Sequence, residues 1–567
     1  MRAADGDNGG VLADVPLDAI LGEAARFTGE VLAPLNRVGD REGVRLKDGA
    51  VTTAPGWKEA YRRFAEAGWT GVSAPEQYGG QGLPVMVEMA VQEMWNAGAA
   101  AFAVGPMLTV GAIEALAAHG AAEIRATYLP RLVAGRWTAT MNLTEPQAGS
   151  DLGLVATRAT RAEDGTYRIS GQKIFITYGE HDLAENIVHL VLARLPDAPP
   201  GTAGISMFVV PKFLPDAEGT PRARNRVVAA GVENKLGLHG SPTCTMVYDQ
   251  AVGFLVGEEN RGLACMFTMM NLARLSVGIQ GVGVAERAYQ TALAYARERR
   301  QGRGFDAERG PSPIVAHPDV QMMLLRMAAL VAASRSLCYA CAHAIDMSRR
   351  GPANERGAWA DRASLLTPVA KAFSTDAAIE VASLGIQVHG GAGYIEETGA
   401  AQHLRDARIF AIYEGTNGIQ AIDLVTRKLG LRDGAAVTEF TAELRGIADA
   451  LAMSNRPGIH ETVAPLRAAI SELEAATAFM SEAAARDRRS ALYGASGYLR
   501  LFGIVGGAAL LAKSAIVGGD DRAGLAAIAK GRFFAQTMLP EASSLRAAMM
   551  GAGTAVGADG AALLDMT

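Results

Sequence analysis

Apolar residues recur at helical spacing along most of the chain. Ala19, Ile20, Ala24, Phe27 and Val31 form one such face, with Pro34 as the expected stop. Trp57, Tyr61, Phe64 and Ala65 form a second, closed by Gly68. Helical patterns resume near Val85 and near Val110, after a loop from Ser73 to Gly82. The period changes near Trp137. Thr138 to Thr144 is extended and β-prone. Thr157 to Thr160, a turn at Glu163-Asp164-Gly165, and then Tyr167, Ile169, Ile174 and Ile176 predict antiparallel strands joined by an Asp-Gly hairpin. Ile187 to Leu192, Ile205 to Val210 and Thr243 to Tyr248 add further strands. Strands do not alternate with helices here, which argues against a parallel doubly wound sheet.

The helical period returns from Gly262 to Arg303, where Gly278, Gly281, Ala285, Ala288 and Ala292 permit close helix approach. A Gly/Pro-rich break from Gly302 to Pro318 precedes helices over Val320 to Arg349 and Ser364 to Leu384. Arg432-Asp433-Gly434 reads as a boundary. Beyond it the pattern predicts helices over Phe440 to Met453, Val463 to Ala485, Leu492 to Val517 and Ala523 to Met550, a region suited to docking or oligomerisation. The expected organisation is a helical domain (12–136), an antiparallel β domain (137–256), a helical bundle (257–431) and an extra C-terminal helical domain (432–567), an α+β class overall.

Composition narrows the function. The chain has 567 residues, 49% hydrophobic and 20% charged, which is a core-forming profile of several domains. A net charge of −5 gives no electrostatic footprint for nucleic acid. The polar N-terminal MRAADGDNGG resembles neither a signal peptide nor a transit sequence. Leu501 to Ala512, about a dozen apolar residues, is too short to span a bilayer and reads as a buried helix. A cytoplasmic setting is the default expectation. Cys338 and Cys341 form a CxxC in a helical pattern with no second pair, so they read as buried thiols, and no metal site is expected.

Candidate chemistry concentrates between Gln387 and Gly430. Gly390, Gly391 and Gly393 allow close backbone approach to a ligand. Arg405-Asp406-Ala407-Arg408 can hold two elements together. Glu414, between Tyr413 and Gly415, follows the apolar run Ile409 to Ile412 and precedes a helix near Thr416 and Asn417. Burial would raise its carboxyl while a helix start would favour the anion, a balance that suits a general base. A salt-bridged or helix-capping glutamate is the plainer alternative. Upstream, MNLTEPQAGSD (141–151) offers the Thr144 and Ser150 hydroxyls and free N–H groups, or simply ends a strand. Phe175 and Thr177 share a strand face as a platform for a flat ring, or as core packing. Arg297, Arg299 and Arg300 close a helix, where they could complement its dipole or clamp a pyrophosphate. GIQGVG (278–283) follows no strand and is not a dinucleotide fingerprint.

Taken in order, MNLTEPQAGSD, KIFIT, KLGLHGSPTC, YARERRQ, AHP and QVHGGAGY…RDARIFAIYEGTNGIQ resemble the acyl-CoA dehydrogenase flavoenzymes, from about Leu12 to Gly430. The length, the PEQYGGQGLP segment and the helical extension are most similar to the subgroup that includes 3-methylmercaptopropionyl-CoA dehydrogenases. The resemblance implies FAD as cofactor, contacted by Met141, Leu143, Thr144, Ser150, Phe175, Thr177, Arg299, His317, Gln387, Gly390, Gly391, Thr416 and Gly418. It implies Glu414 as catalytic base, with Ser150, Arg274, Tyr413 and Gly415 beside the acyl-CoA. The implied reaction is α,β-dehydrogenation of 3-methylmercaptopropionyl-CoA or a short- or medium-chain acyl-CoA in fatty-acid metabolism. An electron-transfer flavoprotein is the implied acceptor and a homodimer the implied assembly. The rivals are an acyl-CoA oxidase passing electrons to oxygen and a catalytically silent helical scaffold.

Overall fold

The computed structural model describes Leu12 and residues 15–216, 218–305, 310–557 and 560–566. The N-terminal segment read above as lacking a targeting signal lies outside them. By packing, the chain forms two compact units, Pro16–Ser276 and a second made chiefly of Val277–Thr567.

The first unit begins with α1 (Leu17–Phe27), α2 (Ala33–Glu42), the strands β1 (Arg45–Lys47) and β2 (Ala50–Thr52), α3 (Trp57–Glu66), α4 (Val85–His119) and α5 (Ala122–Val133). Pro34 does not end its helix. A π-turn at Thr28–Leu32 sets the proline in the first turn of α2, where its missing N–H costs little. The β1–β2 hairpin was not expected, although Asp48-Gly49, both with positive φ, is its turn signal. Trp57, Phe64, Trp95 and Phe102 are buried together and pack edge to face.

The sheet of this unit contains β3 (Trp137–Asn142), β4 (Arg158–Arg161), β5 (Tyr167–Thr177), β6 (Asn186–Arg194), β7 (Ile205–Pro211), β10 (Val227–Val232) and β11 (Thr243–Val256), and a side ribbon pairs β8 (Phe213–Pro215) with β9 (Pro221–Arg224). Most pairings are antiparallel, with the β4–β5 hairpin where Asp164-Gly165 places it. The exception is β6, which runs parallel to the whole of β3 and to β4 at one pair of residues, while pairing antiparallel with β7. The core holds Ile169, Val191, Phe208, Val210 and Tyr248.

The second unit holds the end of α6 (Gly262–Glu298), then α7 (Pro318–Arg350), α8 (Arg356–His389), α9 (Ala400–Ala407) and α10 (Asn417–Asp423). Gly281 explains the close packing of α6 on α8: a Cβ there would lie 2.7 Å from the Ser374 carbonyl oxygen. Cys338 and Cys341 are buried free thiols on α7. The extension comprises α11 (Ala435–Met453), α12 (Val463–Arg486), α13 (Arg488–Val517), α14 (Arg522–Thr537), α15 (Glu541–Val556) and α16 (Gly560–Asp565). One long helix was expected over Ala523 to Met550, but Pro540 cannot continue it and splits it into α14 and α15. The extension does not stand apart, since α13 packs on both α7 and α8. Gly503 sits so close to Phe373 that a Cβ would approach its ring to 2.6 Å.

Among the described residues, four helices, α4, α6, α7 and α13, are long and apolar enough to cross a membrane by length and composition. The apolar run Leu501 to Ala512 is therefore part of a 30-residue helix, and length does not decide its setting. Packing does: its most apolar window is 72% buried within the fold, and that of α4 is 94% buried.

Candidate active site

Glu414 lies in a short loop between a 3-10 turn (Arg408–Ala411) and α10. Its backbone is left-handed, φ +56°, and Gly415 follows at +84°. A glutamate in that region costs on the order of 1 kcal/mol or more, so the surroundings must enforce it. They grip the two peptide carbonyls of the loop. Gln420 Nε2 donates to the carbonyls of Glu414 (3.2 Å) and Gly415 (3.1 Å). Lys371, fully buried on α8, donates to the Gly415 carbonyl and to Asn417 Oδ1, both at 2.9 Å. Asn417 Nδ2 in turn donates to Asp376 Oδ1 at 2.7 Å. Thr416 caps α10 by accepting from the Ile419 amide, so the helix cap is Thr416 and not Glu414.

Tyr413 is fixed on the other side of the base. Its hydroxyl donates to Gln280 Oε1 at 2.5 Å, while Gln280 Nε2 is buried with no partner among the described residues. Burial, with Glu414 nearby, pushes the Tyr413 phenol well above its ordinary range, so it stays protonated as a donor. Glu414 itself is half-buried. Of the run leading into it, Phe410 is buried but Ile412 is 46% exposed.

The glycine cluster ends α8. Gly390 (φ +60°) is its cap, and Gly390 and Gly391 face open space, so nothing in the unit fills the room beside their backbone. Gly393 is different, because a Cβ would meet the Ile386 carbonyl at 2.4 Å. Gln387 is exposed, and the next turn is fixed by His389 stacked on Tyr295 at 4.4 Å. Arg299 is exposed and His317 half-buried, on a short hairpin where Ile314 N–H donates to the Arg299 carbonyl. His317 Nε2 lies 2.7 Å from the Gln301 carbonyl. Gly418 is exposed on α10.

The sheet unit carries the other candidates. Met141 ends β3 half-buried, Leu143 and Thr144 are half-buried beyond it, and Ser150 is exposed. Lys173 of β5, fully buried, donates to the Leu143 carbonyl (2.9 Å) and pairs with the buried Glu145 (2.7 Å), and Ile174 N–H donates to the Thr144 carbonyl. Burial pulls the Glu145 carboxyl up, but the Lys173 charge and hydrogen bonds from Lys173, Thr157 and Ala156 outweigh it and hold it below its usual value. Burial pushes the Lys173 ammonium down to about 8 against the pull of Glu145. Phe175 does not follow the regular pleat. It sits where the β5–β11 register shifts, with φ +59° and 58% exposure, and Thr177 is half-buried beyond it. Arg274 is buried on α6.

Sequence reasoning thus reached the loops but missed what holds them: Lys371, Asn417, Gln420, Gln280, Lys173 and Glu145. The available signal was a lone lysine inside an apolar helical run, LLTPVAKAF (365–373).

Family profiles match nearly the whole chain. They are described as the N-terminal (17–136), middle (140–251) and C-terminal (260–429) domains of acyl-CoA dehydrogenase, and as an acetyl-CoA dehydrogenase C-terminal-like domain (436–558). The chain is 47% identical to a 3-methylmercaptopropionyl-CoA dehydrogenase of Ruegeria pomeroyi, over 93% of this chain and 91% of that one. It is 32% identical to a broad-specificity linear acyl-CoA dehydrogenase of Mycobacterium tuberculosis, over 95% and 93%. Among solved structures, butyryl-CoA dehydrogenase of Megasphaera elsdenii superposes with a TM-score of 0.60 at 27% identity, covering 74% of this chain and 98% of that one. An acyl-CoA dehydrogenase of Bacillus anthracis complexed with FAD shares the fold over 98% of this chain and 90% of its own, with a TM-score of 0.78 at 21% identity.

Proposed function

The chain belongs to the acyl-CoA dehydrogenase family, and from that premise we propose that Glu414 is the base that starts α,β-dehydrogenation of an acyl-CoA thioester. The protein is an FAD-dependent oxidoreductase whose product is a trans-2-enoyl-CoA. Bound FAD supplies the acceptor for the hydride that leaves Cβ. Glu414 takes the proton from Cα, the electron pair of that C–H bond becomes the new Cα=Cβ bond, and the hydrogen on Cβ departs with its pair as hydride. The Glu414 amide N–H donates to the thioester carbonyl, where negative charge develops as the α-proton departs. By the family likeness we assign Tyr413, Gly415, Ser150 and Arg274 to the acyl-CoA. The observation that carries this reading is the left-handed Glu414, held by carbonyl contacts from Lys371 and Gln420 rather than used as a helix cap.

The residues present fit a flavin dinucleotide. Phe175 is held out of the core in a strained conformation, as a surface for a flat ring, and the space beside Gly390 and Gly391 is open for a phosphate or ribose. We assign Met141, Leu143, Thr144, Ser150, Phe175 and Thr177 to the flavin and pyrophosphate. Arg299, His317, Gln387, Gly390, Gly391, Thr416 and Gly418 are assigned to the rest of the cofactor.

The finer reading is a 3-methylmercaptopropionyl-CoA or short- to medium-chain substrate, supported by the Ruegeria relative. An electron-transfer flavoprotein is the acceptor, a reading that rests on the family likeness, and the enzyme is a cytoplasmic homodimer, a reading that rests on a chain with only four cysteines for the setting and on the helical extension for the assembly. The test is a panel of acyl-CoA thioesters, including 3-methylmercaptopropionyl-CoA, with electron-transfer flavoprotein or air as acceptor. Turnover with the flavoprotein and little peroxide in air is expected. Stoichiometric peroxide would make the protein an oxidase, and a colourless protein that turns over no thioester would overturn the reading.

A further inference from the structure

The extension reaches toward the catalytic loop along a chain of polar contacts within one compact unit. A cavity where α13 and the turn after α14 meet α7 and α8 is lined by Leu330, Phe373, Asp376, Leu499, Arg500 and Ile504, among others. Arg500 comes from the extension and Asp376 from α8. Asp376 accepts from Asn417, Asn417 accepts from Lys371, and Lys371 holds the carbonyl beside Glu414. Arg500 is itself aimed by Glu541 of α15, at 3.0 Å, and Glu541 also pairs with Arg326 of α7. Burial raises the Asp376 carboxyl, and against it act the hydrogen bond from Asn417 and the charges of Lys371 on α8, Arg500 of the extension, which lines the same cavity, and Arg408.

We propose that the C-terminal extension positions the Glu414 loop, with Arg500 acting on Asp376 and, through Asn417 and Lys371, on the Gly415 peptide. Arg500 and Asp376 are positioning residues, since neither is assigned to substrate or cofactor. Removing the Arg500 charge leaves Asp376 to draw Asn417 and Lys371 toward itself, which loosens the grip on Gly415. The inference rests on Glu414 being the base.

The test uses the full-length flavin-loaded enzyme, with steady-state kinetics and amide hydrogen exchange over residues 409–420. Arg500→Gln and Asp376→Asn should each lower kcat about three- to tenfold with KM nearly unchanged, a size typical of coupling through packed networks. Both should speed exchange in that segment. The double variant should be no worse than Asp376→Asn alone, because the two act along one path. Arg500→Lys should recover most of the loss, and Glu541→Gln, which only frees the Arg500 side chain, should lower kcat less than Arg500→Gln does. Unchanged kcat and exchange in both single variants would overturn the proposal, as would independent, multiplying losses or a loss that tracks flavin release. Full turnover by Glu414→Gln would instead remove the base assignment, while the exchange data would still report on the contact path.

Discussion

The Glu414 loop and the irregular end of β5 at Phe175 share a device and differ in one respect. Each carries a non-glycine residue in the left-handed region, Glu414 at φ +56° and Phe175 at +59°. In each region a fully buried lysine donates to a loop carbonyl at 2.9 Å, Lys371 to Gly415 and Lys173 to Leu143. The groups hydrogen-bonded around the two lysines differ. Lys173 pairs directly with the buried Glu145, whereas Asp376 stands behind Asn417 from Lys371. A directly paired buried charge makes a rigid anchor whose loss exposes the partner to an unsolvated interior. Asn417 links Lys371 to Asp376 and so ties the Glu414 loop to neighbours that can adjust it, which suits a base that must meet a reacting carbon.

Breaking the two anchors should separate these roles. Lys173→Met should cost about 3–5 kcal/mol, because Glu145 is left buried and uncompensated, and thermal melting should show it. Adding Glu145→Gln to that variant should recover part of the loss. Lys371→Met should cost less, about 1–3 kcal/mol, the scale for stranded buried hydrogen-bonding groups. It should lower kcat while flavin stays bound, read from absorbance and kinetics together. Equal destabilisation by both substitutions would erase the contrast.

Acid sharpens it from another side. His181 and His189 are buried in the sheet unit and pushed down to about 3 by burial, with the Lys212 charge adding to it. Their folded values lie below the ordinary 6.5, so between pH 6.5 and 3 the unfolded chain binds protons that the folded chain refuses. Stability from these histidines is present above pH 6.5 and is lost as pH falls, at roughly 1.4 kcal/mol per pH unit for each. His189→Gln should flatten the acid-unfolding slope of the sheet unit by about one proton. The smallest effect is expected at Tyr413→Phe, which removes one hydrogen bond to Gln280 and should cost about 1 kcal/mol in kcat/KM.

The legibility of these features follows their physics. Period and turn chemistry are local, so the Asp164-Gly165 hairpin and the Trp57 helix could be read directly. Asp48-Gly49 carried the same signal inside a region that otherwise read as helical, and the strands around it are only three residues each. Pro34 was misread because a π-turn absorbed it, and Pro540 was overlooked inside a long apolar pattern. Glu414, Gly390 and Gly391 were reached through motif likeness, since a single carboxylate announces no role by itself. The loop of Glu414 is held by a partner far along the chain, since Lys371 is 44 residues from Gly415, and the anchor beneath the MNLTEPQAGSD loop is as remote, since Lys173 is 30 from Leu143. Such pairings leave only the faint trace of a charge in an apolar stretch.

The central claim is tested most directly by mixing flavin-loaded Glu414→Gln with an acyl-CoA that the wild type oxidises, under anaerobic conditions, and following the flavin absorbance. The account predicts normal flavin content and thioester binding with bleaching slowed by roughly 10²–10⁴, the usual contribution of a positioned base. Bleaching at the wild-type rate would mean that another group removes the α-proton.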